Sequence, residues 1–362
     1  MKKQISEIFW LRSVACMTIV FIHALTLVIV SYYSQDETAY KVLRTLQLLL
    51  MYGTPMFVFI SEFLLSYSYK ETVPKGFFKK RFQFIFLPYV IMGLFYGAYT
   101  QRKNGVDEIW DQMVLNVVQG QYHGYFVLII FQFYVLHILY QKLHRFIPMK
   151  VALIASLFIN VAYLSVINFV DGPTLYDVTP YVWNIQSRLP FLGWIFYFTV
   201  GFYAGRHYNE FKQFVVTNIR MMVAVFLLSV GTIVAFYWTE TLTIINSKRV
   251  DVMFLTLFVI FILFYLATKM KRVPKLFMKV SQYSFGIYLL HPFFQSEVMK
   301  WIKATPEING PVVTTLILLG TGIVFSMIMT HLLNYLKVGK YIIGKVNVRK
   351  NRSATTERSQ AA

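Results

Sequence analysis

The chain has 362 residues, of which 57% are hydrophobic and 14% are charged, whereas a soluble domain carries about 25% charged residues. Apolar runs recur from one end to the other. This excludes a soluble protein with a single anchor and predicts a multi-pass protein of the cell membrane. The formal net charge is +19, but the basic residues fall between the apolar runs. We therefore assign them to membrane topology and to contact with anionic lipids of the bilayer, and we expect no nucleic-acid partner.

The apolar runs predict an all-α fold of about ten transmembrane helices, because a helix needs roughly 20 apolar residues to cross the hydrocarbon core. The first run follows two lysines, as a signal peptide does. It is too long for one and carries charged groups, so we interpret it as an uncleaved first span. The predicted spans are residues 8–32, 45–68, 82–100, 122–141, 150–170, 190–205, 220–238, 252–268, 280–301 and 311–336.

The distribution of basic residues supports this number of spans. If the N-terminus is cytoplasmic, the cytoplasmic segments hold 25 of the 35 lysines and arginines, the outward loops hold nine, and Arg12 lies inside a span. This agrees with the positive-inside rule and predicts that both termini are cytoplasmic. We interpret residues 1–340 as one transmembrane domain and residues 341–362, which are polar and basic, as a disordered cytoplasmic tail.

The first predicted span, residues 8–32, contains two residues that an apolar helix does not need, Arg12 and His23. A charged residue near the middle of a span costs roughly 2.5–3.5 kcal/mol and usually has a partner and a function. The two residues are 11 positions apart, close to three helical turns, so their side chains leave the same face roughly 16 Å apart along the axis. We therefore expect polar groups opposite this face.

The second predicted span contains Ser61 and Glu62, and Glu62 lies at a depth similar to that of Arg12. One interpretation is a structural ion pair between Glu62 and Arg12, which offsets the burial cost of both. The other is that Glu62 fixes Arg12 so that the guanidinium can receive an anionic ligand. The sequence leaves both open.

Two further segments carry polar groups that we single out. His291 lies in the ninth predicted span beside Pro292, which removes one backbone donor and frees the carbonyl of Tyr288. It is either a packed histidine in a kinked helix or part of a polar site with His23. Arg81 follows Lys79 and Lys80 before the third span; this basic segment reflects either topology or binding of phosphates.

Other residues are interpreted as structural. The pairs Gly93/Gly97 and Gly201/Gly205 have the spacing of helix-packing sites. We assign no function to His123 and interpret His137 as packing. Cys16 is the single cysteine, so no thiolate metal cluster can form, and the chain has no phosphate-binding loop or H-E-x-x-H motif. We therefore expect no metal site and no bound cofactor.

Four segments of the chain form an ordered set: Leu11-Arg12-Ser13-Val14-Ala15 with the downstream His23, Phe57 to Leu65, Arg81 with Leu87-Pro88-Tyr89, and Ser284 to His291. Taken in this order, they resemble those of the membrane-bound acyltransferase-3 family. They cover essentially the whole membrane portion, and within the family they resemble the branch of the intercellular adhesion protein C. The glycine that the family has after Ser61 is replaced here by Glu62.

The resemblance implies transfer of an acetyl or succinyl group from cytoplasmic acyl-coenzyme A, a co-substrate, to a hydroxyl of a cell-surface carbohydrate or glycolipid. On this interpretation His23 and Arg12 are catalytic, with His23 as general base or acyl acceptor. The residues implied in binding the donor or the acceptor are Ser61, Glu62, Arg81, Tyr288 and His291.

Two other functions remain open. Ten spans with intramembrane charges also suit a polysaccharide exporter or flippase without acyl chemistry. A third interpretation is a structural partner of a membrane-bound polysaccharide synthase, which predicts that Arg12 and His23 tolerate replacement.

Overall fold

In a computed structural model, residues 5–33, 36–170, 189–305 and 310–346 are described, and within these ranges the regular secondary structure is helical. This is the expected outcome for long apolar runs, because a helix satisfies its own backbone hydrogen bonds in lipid. The helices are α1 Ser6–Tyr32, α2 Glu37–Leu49, α3 Gly53–Ser68, α4 Phe77–Arg81, α5 Leu87–Gln101, α6 Val106–Val118, α7 Phe126–Leu143, α8 Met149–Phe169, α9 Ile195–Arg206, α10 Tyr208–Thr217, α11 Ile219–Trp238, α12 Val250–Lys269, α13 Lys275–Ala304, α14 Pro311–Tyr335 and α15 Gly339–Ile342.

Local sequence explains several helix ends and irregular turns. Asp36 caps α2, since its Oδ1 accepts a hydrogen bond from the Ala39 amide at 2.9 Å. Gly76 has φ +77°, a left-handed conformation that favours glycine, immediately before α4. Between α4 and α5 the segment Phe82–Phe86 is wound as a π-helix, and Pro88 occupies the first turn of α5.

Helix α1 lies at the centre of the bundle. It packs against α2, α3, α12, α13 and α14. Several of its apolar side chains, such as those of Leu11 and Ala15, are fully buried. A helix surrounded in this way holds its polar groups between other helices and away from lipid.

The glycine pairs are helix-packing sites, as predicted. On α9, a Cβ at Gly201 would lie 2.7 Å from the Phe59 carbonyl oxygen, and a Cβ at Gly205 would overlap the Phe63 carbonyl oxygen, so only glycine allows α9 to approach α3 this closely. On α5, Gly97 faces the backbone of α6 in the same manner. The contacts of Gly201 and Gly205 bring α9 against α3, on the side of α3 opposite the face that carries Ser61.

The chain is an all-α polytopic membrane protein. Among the described helices, eight segments are long and apolar enough to cross a membrane: Ser6–Tyr32, Glu37–Ser68, Phe77–Gln101, Val106–Leu143, Met149–Phe169, Ile219–Trp238, Val250–Lys269 and Pro311–Tyr335. The two other predicted spans correspond to the short helical segment Phe191–Arg206 and to α13. The number of ten spans and the cytoplasmic termini stay predictions.

Packing contacts continue past residue 340, where the sequence predicts the boundary between domain and tail. Tyr341 stacks on Phe84 with ring centroids 5.5 Å apart, and the Asn334 side chain exchanges hydrogen bonds with the Gly344 carbonyl and the Val346 amide. The domain therefore extends to Val346 at least, because apolar and hydrogen-bonding residues continue past position 340. Residues 347–362 of the predicted tail lie outside the described residues, and their disorder stays a prediction.

Candidate functional site

Two cavities lie at opposite ends of the bundle and meet beside α1. The larger, about 870 Å³, is lined by His23 and is called here the histidine cavity. The smaller, about 570 Å³, is lined by Arg12 and is called the basic cavity. The two cavities share lining residues of α1, α3, α7 and α13, and together they follow the face of α1 from Arg12 to beyond His23. The shared residues are Ile19, Thr54, Phe126 and Tyr288.

The basic cavity collects four cations from three separate stretches of the chain. Arg12, Lys80, Arg81 and Lys345 line it, and none of its described lining residues is acidic. In the part of the chain that the structure describes, Arg12 has no ion pair or hydrogen bond. A concentration of uncompensated cations beside aromatic and hydroxyl groups suits an anionic ligand with phosphates.

Arg81 is positioned by aromatic rings. Its guanidinium carbon lies 3.9 Å from the centroid of the Phe77 ring and 5.6 Å from that of the Tyr134 ring. Stacking on aromatic faces holds a guanidinium in place without neutralising its charge. The predicted binding residue Arg81 is therefore presented to the same cavity as Arg12.

The two neighbouring polar residues of α3 have different environments. Ser61 lines the basic cavity, as a binding residue requires. Glu62 does not: it is buried, its Cβ faces Gly201 of α9, and its Oε1 lies 2.6 Å from Nδ1 of His137 on α7. The expected contact between Glu62 and Arg12 is wrong, because successive residues on a helix point about 100° apart and α3 can turn only one of them to the cavity.

His23 projects into the histidine cavity in contact with a second histidine. The His23 and His291 ring centroids are 5.0 Å apart with the planes at 72°. His123 also lies beside His291, with ring centroids 5.8 Å apart. The structure thus favours the interpretation of His291 as part of a polar site with His23.

His291 is fully buried, and its hydrogen bond determines its tautomer. Nδ1 lies 2.8 Å from the Ile287 carbonyl oxygen, which accepts a hydrogen bond, so Nδ1 carries the proton in the neutral ring. Nε2 then presents a lone pair, and it is buried without a hydrogen-bond partner among the described residues. An unpaired acceptor here is poised to receive a proton or an N–H group from the cavity side.

His123 is the residue that sequence interpretation missed. It belongs to a single 3-10 turn, His123–Tyr125, whose carbonyl at His123 accepts a hydrogen bond from the Tyr288 hydroxyl. Its Nε2 donates to the Leu289 carbonyl oxygen at 3.2 Å. No spacing in the sequence relates His123 to His23 or His291, because three elements distant in the chain supply them.

Helix α13 runs through Pro292, and its backbone is opened by side chains. The Tyr96 hydroxyl donates to the Leu289 carbonyl oxygen at 3.0 Å and accepts from the Phe293 amide at 3.2 Å, so it occupies the place of a helical hydrogen bond. The sequence predicts a freed carbonyl at Tyr288, whereas the Tyr96 hydroxyl binds the carbonyl of Leu289, one residue further along. It presents the Leu289 carbonyl to His123.

In chemical terms, the site offers an imidazole facing a cavity, backed by a buried imidazole with a free lone pair, and a separate cationic cavity that meets the first. This arrangement suits proton transfer to or from one ligand beside the charged end of another. Within the described ranges, no group of three or more histidine, cysteine, aspartate or glutamate side chains has the arrangement of a metal site.

The chain belongs to the acyltransferase-3 family: the family model Acyl_transf_3, described as an acyltransferase domain, matches residues 5–331. It is 32% identical to a Bacillus subtilis protein named "Putative membrane-bound acyltransferase YfiQ", over 98% of both chains. It is also 29% identical to a Staphylococcus epidermidis protein named "Probable poly-beta-1,6-N-acetyl-D-glucosamine export protein", over 95% of this chain and 96% of that one.

A Staphylococcus aureus protein of the same name is 27% identical, over 98% of this chain and its own full length. No solved structure gives a significant match. The family and the apolar helices define a multi-pass membrane protein of the acyltransferase class, and because the relatives are bacterial its location is the cell membrane.

Proposed function

We propose that this protein transfers an acyl group, acetyl or succinyl, from acyl-coenzyme A in the basic cavity to a hydroxyl of a cell-surface carbohydrate or glycolipid in the histidine cavity. The observation that carries the proposal is the meeting of the two cavities at Ile19, Thr54, Phe126 and Tyr288. A donor and an acceptor that enter from opposite ends would meet beside His23.

The donor end is argued from charge. Coenzyme A is a nucleotide thioester carrier with several phosphates, and Arg12, Lys80, Arg81 and Lys345 supply cations without a competing acid among the described lining residues. Guanidinium groups bind phosphates by paired hydrogen bonds, whereas lysines act as point charges. The aromatic residues further in, such as Phe126 and Tyr288, would line the path of the thioester.

The transfer step moves one proton from the acceptor hydroxyl to the leaving thiolate. His23 accepts the proton of the acceptor hydroxyl while that oxygen attacks the thioester carbonyl carbon. The C–O bond of the new ester forms, the C–S bond breaks, and the thiolate of coenzyme A takes up the proton. His23 could instead accept the acyl group first; radioactive acetyl-coenzyme A given without acceptor would label the protein in that case and leave it unlabelled in direct transfer.

His291 and Tyr288 act as positioning residues. The His291 ring contacts the His23 ring and its Nε2 has no hydrogen-bond partner among the described residues, so this lone pair would accept an N–H of His23 and orient the catalytic ring. The Tyr288 hydroxyl holds the His123 carbonyl, and its ring forms part of the wall that both cavities share. Both residues belong to α13, so this helix sets the geometry at the meeting point.

The first test replaces His23 with alanine. His23→Ala should lower ester groups on the surface carbohydrate by at least about 100-fold, since general base catalysis contributes roughly 10²–10⁴-fold. Mass spectrometry of surface glycans measures this, with equal membrane levels of each variant. The matched control is His207→Ala, because His207 is exposed and lines neither cavity. Unchanged acylation in the His23 variant would remove His23 from the mechanism.

Arg12 is tested by two replacements. Arg12→Ala should abolish transfer and raise the concentration of acetyl-coenzyme A needed to saturate purified protein. Arg12→Lys keeps the charge but loses bidentate recognition, so it should recover only part of the activity. Full activity in Arg12→Lys would show that paired hydrogen bonds to the donor are not needed at this position.

The second candidate function is export of a polysaccharide, favoured by the names of the Staphylococcus relatives and by the path that the two cavities trace through the bundle. An exporter moves polymer without a donor, and its deletion leaves unmodified polymer inside the cell. A transferase binds or hydrolyses acetyl-coenzyme A when purified. Association with a polysaccharide synthase is compatible with either function, and copurification tests it.

A further inference from the structure

The wall of the histidine cavity contains one arginine, Arg44 of α2, that the proposed acyl transfer does not use. Its Nη1 donates to Oε1 of Gln47 at 2.7 Å, and its guanidinium carbon lies 4.9 Å from the centroid of the Tyr40 ring. Its Nε is buried without a hydrogen-bond partner among the described residues. A guanidinium has five N–H donors, so most of its capacity is unused.

Nearby acids do not neutralise Arg44. In the described part of the chain no carboxylate lies within ion-pair distance of it, and none of the cavity's described lining residues is acidic. Of the acids at the same end, Glu37 and Glu240 contact Lys41, and Asp251 contacts Arg249. Among the described residues of the histidine cavity, Arg44 is therefore a fixed positive charge without a counter-ion.

The neighbouring Arg249 shows what a structural arginine looks like in this protein. It is fully buried and forms two hydrogen bonds with the Asp251 carboxylate, at 3.0 and 2.5 Å, and a third with the Leu242 carbonyl oxygen. These bonds hold the segment 242–249, from which Asn246 and Ser247 reach the histidine cavity. Arg249 uses its donors within the protein, whereas Arg44 leaves most of its donors unused. This contrast indicates that the unused donors of Arg44 bind a ligand from outside the protein.

Arg44 is anchored close to the reactive histidine. Gln47, which accepts its hydrogen bond, donates to Oγ1 of Thr26 at 2.7 Å and to the Ile22 carbonyl oxygen. Ile22 and Thr26 flank His23 on α1, so the connection ends within one helical turn of it, ~5 Å along the axis. An anion bound at Arg44 would lie near a hydroxyl presented to His23.

We infer that the acceptor carries an anionic group, a carboxylate or a phosphate, which Arg44 binds while a neighbouring hydroxyl faces His23. Both anions match the planar donor pattern of a guanidinium. The inference deepens the proposed function by naming the chemical class of the acceptor. It rests on that function for the fate of the bound group, whereas its test measures binding alone.

The experiment compares two pairs of ligands on purified protein in neutral detergent without acyl donor. One pair is a glucuronate–N-acetylglucosamine tetrasaccharide and its carboxyl-reduced twin. The other is N-acetylglucosamine 1-phosphate and methyl N-acetylglucosaminide. We expect one anionic member to bind about 10- to 100-fold more tightly than its neutral twin, the range for one charge-assisted hydrogen-bonded contact. The pair that shows this difference identifies carboxylate or phosphate as the group.

Variants locate the effect. Arg44→Gln should lower the affinity for the anionic ligand to that of its neutral twin, and Arg44→Lys should retain part of the difference. Lys41→Gln is the matched control, because Lys41 lies one turn away on α2 and is already paired with Glu37 and Glu240. A loss in the control equal to that in Arg44→Gln would assign the effect to general surface charge and overturn the inference.

Two results separate this inference from the proposed function. Equal binding of both members in both pairs, or an anionic preference that survives Arg44→Gln, contradicts the inference while leaving acyl transfer untouched. Arg44-dependent binding of an anionic ligand that is acylated neither by acetyl-coenzyme A nor by succinyl-coenzyme A supports the inference and contradicts the proposed transfer.

Discussion

At the scale of single residues, the replacement of a family glycine by Glu62 has a visible compensation. The carboxylate is buried, and His137 of α7 supplies the partner that burial requires. The close approach of helices is preserved from the other side, because Gly201 of α9 leaves room for the Glu62 Cβ. The pair belongs to the packing behind Ser61 and does not enter either cavity.

The Glu62–His137 pair predicts a measurable coupling. Glu62→Ala and His137→Ala should each destabilise the protein by about 3–5 kcal/mol, because each leaves an unpaired buried polar group. The double variant should cost clearly less than the two single losses together, since it removes both groups. Thermal or denaturant unfolding in detergent measures the cycle. Strict additivity of the two losses would contradict the interaction.

The individual residues show where sequence interpretation succeeds. Arg12 and His23 were singled out because they are costly in an apolar helix, and each lines a cavity. The same reasoning noticed Glu62 but assigned it the wrong partner, since depth in the membrane does not tell which side of a helix a neighbour occupies. His123 has no intrinsic signal, and only contact with Tyr288 and His291 makes it part of the site.

At the scale of elements, α13 brings most of the site together. It carries Tyr288 and His291, and its backbone is opened by the Tyr96 hydroxyl of α5 next to Pro292. The polar groups that serve the site also make α13 less apolar than the eight segments that suit a membrane span.

The contact between α9 and α3 gives a prediction with an internal control. Gly205→Ala places a methyl group on the Phe63 carbonyl oxygen, and such overpacking should destabilise the protein by about 1–3 kcal/mol. Gly231→Ala is the same substitution on α11, where nothing lies within 4 Å of the new Cβ. It should be neutral or stabilise by about 0.5–1 kcal/mol, because alanine favours helix more than glycine does. Equal midpoints of thermal unfolding for the two variants would contradict the packing described for α9.

At the scale of the whole molecule, the proposed transfer requires the two cavities to open on opposite sides of the membrane. The side that each loop around a cavity faces depends on the number of spans. The segment Phe191–Arg206 is helical over about 26 Å, somewhat less than the ~30 Å hydrocarbon core. Helix α13, with 30 residues, is long enough to cross. Both must cross if the chain has ten spans.

Membrane topology can be measured with single cysteines. With ten spans, Thr241→Cys should react with an impermeant maleimide in intact cells, whereas Lys271→Cys should react only after permeabilisation. Both positions are exposed, and the single native cysteine, Cys16, is buried and should stay unlabelled. If Phe191–Arg206 does not cross, the two results are exchanged whether or not α13 crosses, because α13 follows both positions, and the prediction of ten spans is wrong.

The sequence by itself determined the class of the protein, because apolar runs of spanning length admit only helices in lipid. It also identified the face of α1 that carries Arg12 and His23, since intramembrane charge is costly and helical spacing is regular. Only the tertiary structure decided the partners: His291 and His123 lie beside His23, His137 lies beside Glu62, and Arg44 has no ion pair among the described residues. The physical reason is that helical periodicity gives the direction of each side chain on its own helix, whereas the helix opposite it is set by packing between segments far apart in the chain.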